Sequence, residues 1–180
     1  MNDLEAAIAL KQAECLYTDE QVQSAIDRVA LEITKKLSKR NPLVLCVMTG
    51  ALIPAGHILT RLNFPLQLDY IHATRYRGDT RGGVLNWLVK PTFPLQGRDV
   101  LIIDDIFDEG ITLSEIVEFC SAEGANDIFT AVLVNKIHNR KTKLQVDFVG
   151  LETEDKYLFG YGMDYHNYLR NAPGIYAVKE

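Results

Sequence analysis

An α/β protein with a mainly parallel sheet flanked by helices is the fold class this sequence predicts. Leu43–Met48, Val100–Ile103 and Ile128–Val134 are continuous apolar runs, the pattern of strands buried on both faces. Stretches of helical periodicity lie between such runs, as right-handed crossovers between parallel strands require. Asn41-Pro42, Pro91, Pro94 and Gly124 punctuate the chain where one kind of segment gives way to another.

The elements follow in order. Residues 18–39 read as an amphipathic helix: Thr18 and Gln21 make a capping box, and Val22, Ile26, Val29, Ile33 and Leu37 recur at helical spacing, giving a face that covers a sheet. Asn41-Pro42 stops it and strand 43–48 begins. Beyond Thr49-Gly50, a second helical stretch covers 51–62. Residues 65–72 read as another strand, and 73–83 as a polar loop holding Arg75, Arg77, Arg81 and three glycines. Residues 84–89 form an edge strand ended by Pro91 and Pro94. After strand 100–103 comes an acidic loop and a short helix, 112–122, with Thr112 and Glu115 as its capping box and Gly124 as its stop. A buried strand at 128–134 follows, then shorter strands at 146–151, 157–160 and 175–178.

Composition removes several classes of function. With 180 residues, 47% of them apolar, the chain can bury enough surface to offset its conformational entropy, so it is not disordered. The net charge of −5 argues against a generic nucleic-acid or anionic-membrane binder, which needs a cationic face. Cys15, Cys46 and Cys120 are widely separated and include no CxxC pair, which reads as three reduced thiols rather than a disulfide framework or zinc site. No apolar run reaches the roughly 20 residues that span a bilayer, and Met1-Asn2-Asp3 does not open a targeting segment, so a soluble cytoplasmic protein is expected.

In open parallel sheets, ligands sit at the carboxyl ends of the strands. After Val100–Ile103 the chain reads Asp104-Asp105-Ile106-Phe107-Asp108-Glu109-Gly110-Ile111-Thr112, and then a helix starts. Paired acids there need solvent, a cation or hydroxyl donors. The glycine-containing turn and the helix start offer free backbone N–H groups and a positive dipole end, which together make an anion seat. A phosphate with neighbouring sugar hydroxyls, under a divalent metal, satisfies both halves. Taken alone, an acidic pair after a strand also suits response regulators and metal-dependent phosphatases.

The whole run Val100–Thr112 resembles the fingerprint of the type I phosphoribosyltransferases: an apolar strand, two acids, two spacers, then Asp, a small residue, Gly, any residue and Thr or Ser. Val134-Asn135-Lys136, Asp147-Phe148-Val149-Gly150 and the stretch from Asp155 to Arg170 narrow the resemblance to the hypoxanthine-guanine phosphoribosyltransferases. It covers roughly residues 15–180. The resemblance implies one phosphoribosyltransferase domain over 1–180, with a core at about 40–150 and a hood built from the N-terminal segment and about 151–180.

Carried over by position, the resemblance implies that Asp104 and Asp105 face the ribose hydroxyls of phosphoribosyl pyrophosphate, directly or through magnesium, and that Asp108, Glu109, Gly110, Ile111 and Thr112 hold its 5′-phosphate. Met48-Thr49-Gly50 stands at the pyrophosphate loop, where family members often carry a cis peptide before the residue at Thr49. Lys136 would donate to the exocyclic oxygen of a 6-oxopurine, Tyr157 would stack on its ring, and the Leu158 backbone would read its edge. Asp164 would hold the second of two magnesium ions, Arg170 would approach the pyrophosphate, and Arg75-Tyr76 falls on the loop that closes over the site. Displacement at the anomeric carbon passes through an oxocarbenium-like state, so the protein must neutralise the departing pyrophosphate and exclude water. Asp108 is the candidate to exchange a proton with the purine's imidazole nitrogen.

Glu109 departs from the small residue common in this loop, so its backbone N–H would serve while its carboxylate points away. Thr49 stands where some relatives have lysine, which leaves the pyrophosphate contact to the backbone. His57, His72, His138 and His166 show no paired metal spacing and read as surface or structural residues. Tyr161, Tyr165 and Tyr168 read as hood packing. The implied reaction is transfer of the phosphoribosyl group to hypoxanthine or guanine by a homo-oligomer, dimer or tetramer. Its rivals are a relative using another base, such as xanthine, an RNA-binding regulator that keeps the fold, and an inactive family member.

Overall fold

The structure is a computed structural model and describes residues 1–75 and 85–178. Its larger sheet has six strands in the order β4-β3-β2-β5-β6-β7: β2 (Leu43–Met48), β3 (Gln67–Arg75), β4 (Leu85–Val89), β5 (Val100–Phe107), β6 (Ile128–Ile137) and β7 (Phe148–Glu154). All neighbouring pairs are parallel except β3 with β4, which is antiparallel and forms one edge. The mainly parallel sheet expected from the apolar runs is therefore present. β2 and β5 are adjacent, and the chain leaves them in opposite directions, β2 toward β3 and β5 toward β6. That makes the gap between their carboxyl ends a topological switch point, where a crevice opens for a ligand.

The helices cover the sheet for reasons visible in their residues. In α2 (Asp19–Leu37), Thr18 and Gln21 make the expected capping box, with Thr18 N–H donating to Gln21 Oε1 at 2.9 Å and Gln21 N–H donating to Thr18 Oγ1 at 3.4 Å. Asp19 and Glu20 at its start and Lys35 and Lys36 at its end complement the helix dipole. Its buried stripe includes Val22, Ile26, Val29, Ile33 and Leu37, which join the core with the interior of β2, β5 and β6. α3 (Leu52–Leu59) and α4 (Ile111–Ala122) connect β2 to β3 and β5 to β6. Because the two crossovers run in opposite directions, right-handedness puts them on opposite faces.

A smaller antiparallel sheet, β1-β9-β8, caps the carboxyl end. It joins β1 (Glu14–Thr18), β8 (Leu158–Phe159) and β9 (Gly174–Ala177), so both ends of the chain contribute to the hood. The helix α1 (Asp3–Gln12) and β1 have no counterpart among the elements expected from sequence. Among the described residues, no helix is long and apolar enough to cross a membrane. The cysteines are free, and burial pushes the Cys46 and Cys120 thiols up to about 11 and about 12.

Several boundaries differ from those expected from sequence, with physical reasons. Ala73–Arg75, expected in a loop, belong to β3 because β4 supplies an antiparallel partner: Ala73 pairs Trp87, Thr74 pairs Asn86 and Arg75 pairs Leu85. β5 continues past its apolar run through Asp104–Phe107, and β6 continues through Asn135–Ile137, because each has a neighbouring strand to pair with there, β6 for the one and β7 for the other. The Thr112–Glu115 capping box does not form. The helix starts one residue earlier, at Ile111, and its cap is Gly110 in the left-handed conformation at φ 80°, without a side-chain bond.

Candidate active site

The crevice at the switch point is a cavity of about 510 Å³. Its floor is the end of β5, Asp104, Asp105 and Ile106. One wall is the turn after β2, Met48-Thr49-Gly50; the opposite wall is the run Asp108–Leu113; and Asn167 and Arg170 reach in from the hood. The peptide bond between Met48 and Thr49 is cis, as the family pattern suggests for this loop. Asp105 lies against the same turn, since a Cβ on Gly50 would come within 2.0 Å of its Oδ2.

The acids are held in two different ways. Asp104 is 8% exposed; its Oδ1 accepts the Asp105 N–H at 2.9 Å, and Asp105 Oδ1 accepts the Ile106 N–H at 2.8 Å. Burial pushes the Asp104 carboxyl well above the ordinary carboxylate range, and the adjacent Asp105 charge adds to the rise. Burial raises Asp105 too, outweighing its hydrogen bonds and the favourable Arg170 charge. Two crowded carboxylates short of positive charge are a donor set for a hard divalent cation, which takes oxygen ligands and would relieve their repulsion. The residues present thus fit a magnesium ion.

Asp108 is different. Burial acts to raise its pKa, yet bonds from Lys136 and His138 outweigh burial and hold the carboxyl below its usual value. Lys136 Nζ donates to Asp108 Oδ2 at 2.8 Å, and His138 Nε2 lies 2.7 Å from Oδ1. Asp108, His138 and Asp155 could also each offer one ligand atom to a common ion. Lys136, 3.6 Å from Asp155 as well, and Arg140, bonded to Asp155, already neutralise this cluster, so it suits a cation less well than Asp104 and Asp105 do.

The loop from Asp108 to Thr112 ends on the free N–H groups of the first turn of α4. Thr142 N–H donates to the Glu109 carbonyl at 2.9 Å, and Thr142 Oγ1 accepts from Ser114 Oγ at 3.0 Å, so the segment after β6 braces the loop from outside. The arrangement offers backbone donors for a phosphate, carboxylates for hydroxyls or metal, and one further carboxylate for proton exchange.

Asp104, Asp105, Asp108, Glu109, Gly110, Ile111, Thr112, Thr49, Gly50 and Arg170 all line the one cavity. Lys136 enters the group through Asp108. Asp164 is not on the cavity wall: its Oδ1 accepts from Arg170 Nη2 at 2.7 Å and its Oδ2 from the Asn167 N–H at 2.8 Å. Tyr157 and Leu158 also lie off that wall, Tyr157 being 53% exposed with its ring edge-on to Tyr165, and Leu158 buried in β8. Arg75 is the last residue of β3, and Tyr76 lies outside the described residues. Sequence reasoning missed His72 and Thr74, which line the cavity two residues apart on β3, and His138, two residues beyond Lys136. The two-residue period of strands, applied past the apolar runs, was the available signal.

Comparison with known proteins agrees with this geometry. The model of the phosphoribosyl transferase domain family matches residues 12–166. The hypoxanthine-guanine-xanthine phosphoribosyltransferase of Tritrichomonas foetus is 32% identical over 166 residues, 92% of this chain and 91% of the relative. The hypoxanthine-guanine phosphoribosyltransferase of Bacillus subtilis (strain 168) is 32% identical over 165 residues, 91% of this chain and 92% of the relative. A crystal structure of a hypoxanthine phosphoribosyltransferase from Staphylococcus aureus superposes with a TM-score of 0.90 at 26% identity, covering 99% of this chain and 96% of that one. With the carboxylate pair, the glycine turn before α4 and Arg170 of the hood around one crevice, the chain belongs to the type I phosphoribosyltransferases, in their hypoxanthine-guanine family.

Proposed function

We propose that this protein transfers the 5-phosphoribosyl group from phosphoribosyl pyrophosphate to hypoxanthine or guanine, giving the nucleoside monophosphate and pyrophosphate. The observation that carries this reading is the meeting, at one switch point, of Asp104 and Asp105 with the Asp108–Thr112 turn and the Met48-Thr49-Gly50 turn. The α4 start and the turn before it receive the 5′-phosphate through backbone N–H groups. Asp104 and Asp105 take the ribose hydroxyls, and the Thr49-Gly50 backbone with Arg170 meets the pyrophosphate.

Asp104 and Asp105 would hold magnesium, with Asp164 for a second ion, and the metal would supply positive charge against the repulsion between carboxylates and an anionic substrate. The chain's own residues do the rest. Lys136 donates to the purine's exocyclic oxygen, Tyr157 covers the ring, and the Leu158 backbone reads the base edge. Asp108 accepts the proton from the imidazole nitrogen as the other ring nitrogen bonds to the anomeric carbon. Carboxylates below the sugar favour the positive charge that grows on it.

A spectrophotometric assay with phosphoribosyl pyrophosphate, magnesium and each of hypoxanthine, guanine, xanthine and uracil tests the reading. Xanthine belongs in the panel because the Tritrichomonas foetus relative is named for it. Turnover of hypoxanthine or guanine is expected, and turnover of neither would overturn the proposal. Asp108→Asn should lower kcat by roughly 10²–10⁴-fold while leaving the melting temperature within a few degrees of the parent. Undiminished activity would remove Asp108 from its role.

A further inference from the structure

We propose that His138 is a positioning residue for Asp108, fixing one carboxylate oxygen while Lys136 releases the other to the purine. The inference rests on the reaction proposed above and assigns a residue that reaction leaves unused. His138 stands just beyond β6, two residues after Lys136, and its side chain is 8% exposed. Its Nε2 lies 2.7 Å from Asp108 Oδ1, and its Nδ1 accepts the Arg140 N–H at 3.1 Å. A backbone N–H can only donate, so Nδ1 carries a lone pair and the proton resides on Nε2, aimed at the carboxylate. The main chain thereby selects the tautomer.

The two donors to Asp108 are not equivalent. Lys136 Nζ sits 2.8 Å from Asp108 Oδ2 and 3.6 Å from Asp155 Oδ1, on a flexible stem that can turn toward a bound base. His138 cannot follow, because its other nitrogen is pinned to the backbone of the turn whose Arg140 side chain binds Asp155. When Lys136 moves to the purine's exocyclic oxygen, Oδ2 loses its donor and Oδ1 keeps one. The carboxylate is then left facing the base with one oxygen free and its plane fixed.

The N–H bond of the purine's imidazole nitrogen breaks, and an O–H bond forms at Asp108 Oδ2. The electron pair stays in the ring, and the other imidazole nitrogen bonds to the anomeric carbon as the bond to pyrophosphate breaks. Asp108 returns the proton to solvent before the next turnover. The Nε2–H bond steadies the carboxylate and, with Lys136, favours its ionised form, so losing it raises the pH at which Asp108 takes up a proton. The charged groups around the pair are Lys136, Asp155, Arg140 and Lys141, the last interacting with Asp108 through its charge.

The test uses the full chain. ¹⁵N-histidine NMR should find one ring with protonated Nε2 and bare Nδ1, assigned by its loss in His138→Gln, and its Nε2 proton should exchange faster in Asp108→Ala. An Nδ1–H tautomer, or exchange indifferent to Asp108, overturns the proposal whether or not the protein turns over a purine. Kinetically, His138→Leu should lower kcat roughly 10–100-fold with little change in the KM for base, and should move the acid limb of the kcat/KM profile to higher pH. His138→Gln, which retains a donor at similar reach, should recover most of the loss. Leu and Gln variants of equal activity with an unmoved acid limb overturn it. Failure of the purine assay in the parent, with the tautomer result intact, would count against the reaction and not against the positioning.

Discussion

Asp104 sits where its charge costs the fold. Its carboxyl is buried against Asp105, and burial together with that neighbour holds its pKa well above the ordinary value. For an acid whose folded pKa exceeds its unfolded one, the contribution to stability is fully present below the unfolded pKa. It is lost as pH rises through the folded pKa. At neutral pH, without a cation, the pair therefore works against folding. Asp104→Asn should be more stable than the parent at pH 7–8, by about 0.5–2 kcal/mol, the range typical of a single stabilising substitution. The gap should narrow toward pH 4, and magnesium with phosphoribosyl pyrophosphate should stabilise the parent but not the variant. Thermal unfolding across pH checks all three. A variant less stable than its parent at pH 8 would mean that the pair is neutralised by groups other than a bound cation.

The turn between β5 and α4 shows how an element depends on one backbone conformation. Gly110 sits at φ 80°, and a Cβ there would meet the Phe107 ring at 2.3 Å and Thr142 Oγ1 at 2.9 Å. Gly110→Ala adds the left-handed cost of about 1–2 kcal/mol for an L side chain to that overlap. The expected outcome is a lower melting temperature and a raised KM for phosphoribosyl pyrophosphate, because in the proposed reaction the displaced turn carries the phosphate donors. Equal KM in the two proteins would separate this turn from phosphate binding. The same turn marks where the sequence was readable. Buried runs such as Leu43–Met48 and the stripe of α2 are determined by composition and period, and the structure matches them closely. Strand continuations through Asp104–Phe107 and Asn135–Ile137 depend on a neighbouring strand far away in the chain, which local pattern does not contain. The helix starts instead from Gly110 in the left-handed conformation, which displaces the Thr112 cap that the sequence pattern offers. His138 was hidden for a related reason: its meaning lies in Asp108, on another strand's loop.

At the scale of the whole molecule, the site exists only where the two sheets meet. Tyr161 ties the hood to α2, its hydroxyl donating to Asp19 at 3.1 Å and accepting from Gln23, and burial with the Asp19 bond pushes that hydroxyl up to about 12. One residue later Gly162 lies directly on the Met48-Thr49-Gly50 turn: at φ 108°, a Cβ on it would come within 2.0 Å of the Gly50 carbonyl oxygen. Gly162 also fixes Arg170, accepting from Nη1 at 2.7 Å and donating its N–H to the Arg170 carbonyl at 2.8 Å. A single methyl group at 162 must therefore move either the turn or the hood, and with the hood goes the cation that faces Asp105. Trp87, the one tryptophan, packs on Phe119 of α4 at 4.6 Å between ring centroids, so its fluorescence reports the larger sheet and not the hood. Gly162→Ala should leave the Trp87 spectrum at 25 °C unchanged while weakening phosphoribosyl pyrophosphate binding at least tenfold, a loss of about 1.4 kcal/mol. Retained affinity with an unchanged spectrum would mean that the larger sheet forms the phosphoribosyl site without the hood, whereas a changed spectrum would mean that hood and sheet unfold as one unit.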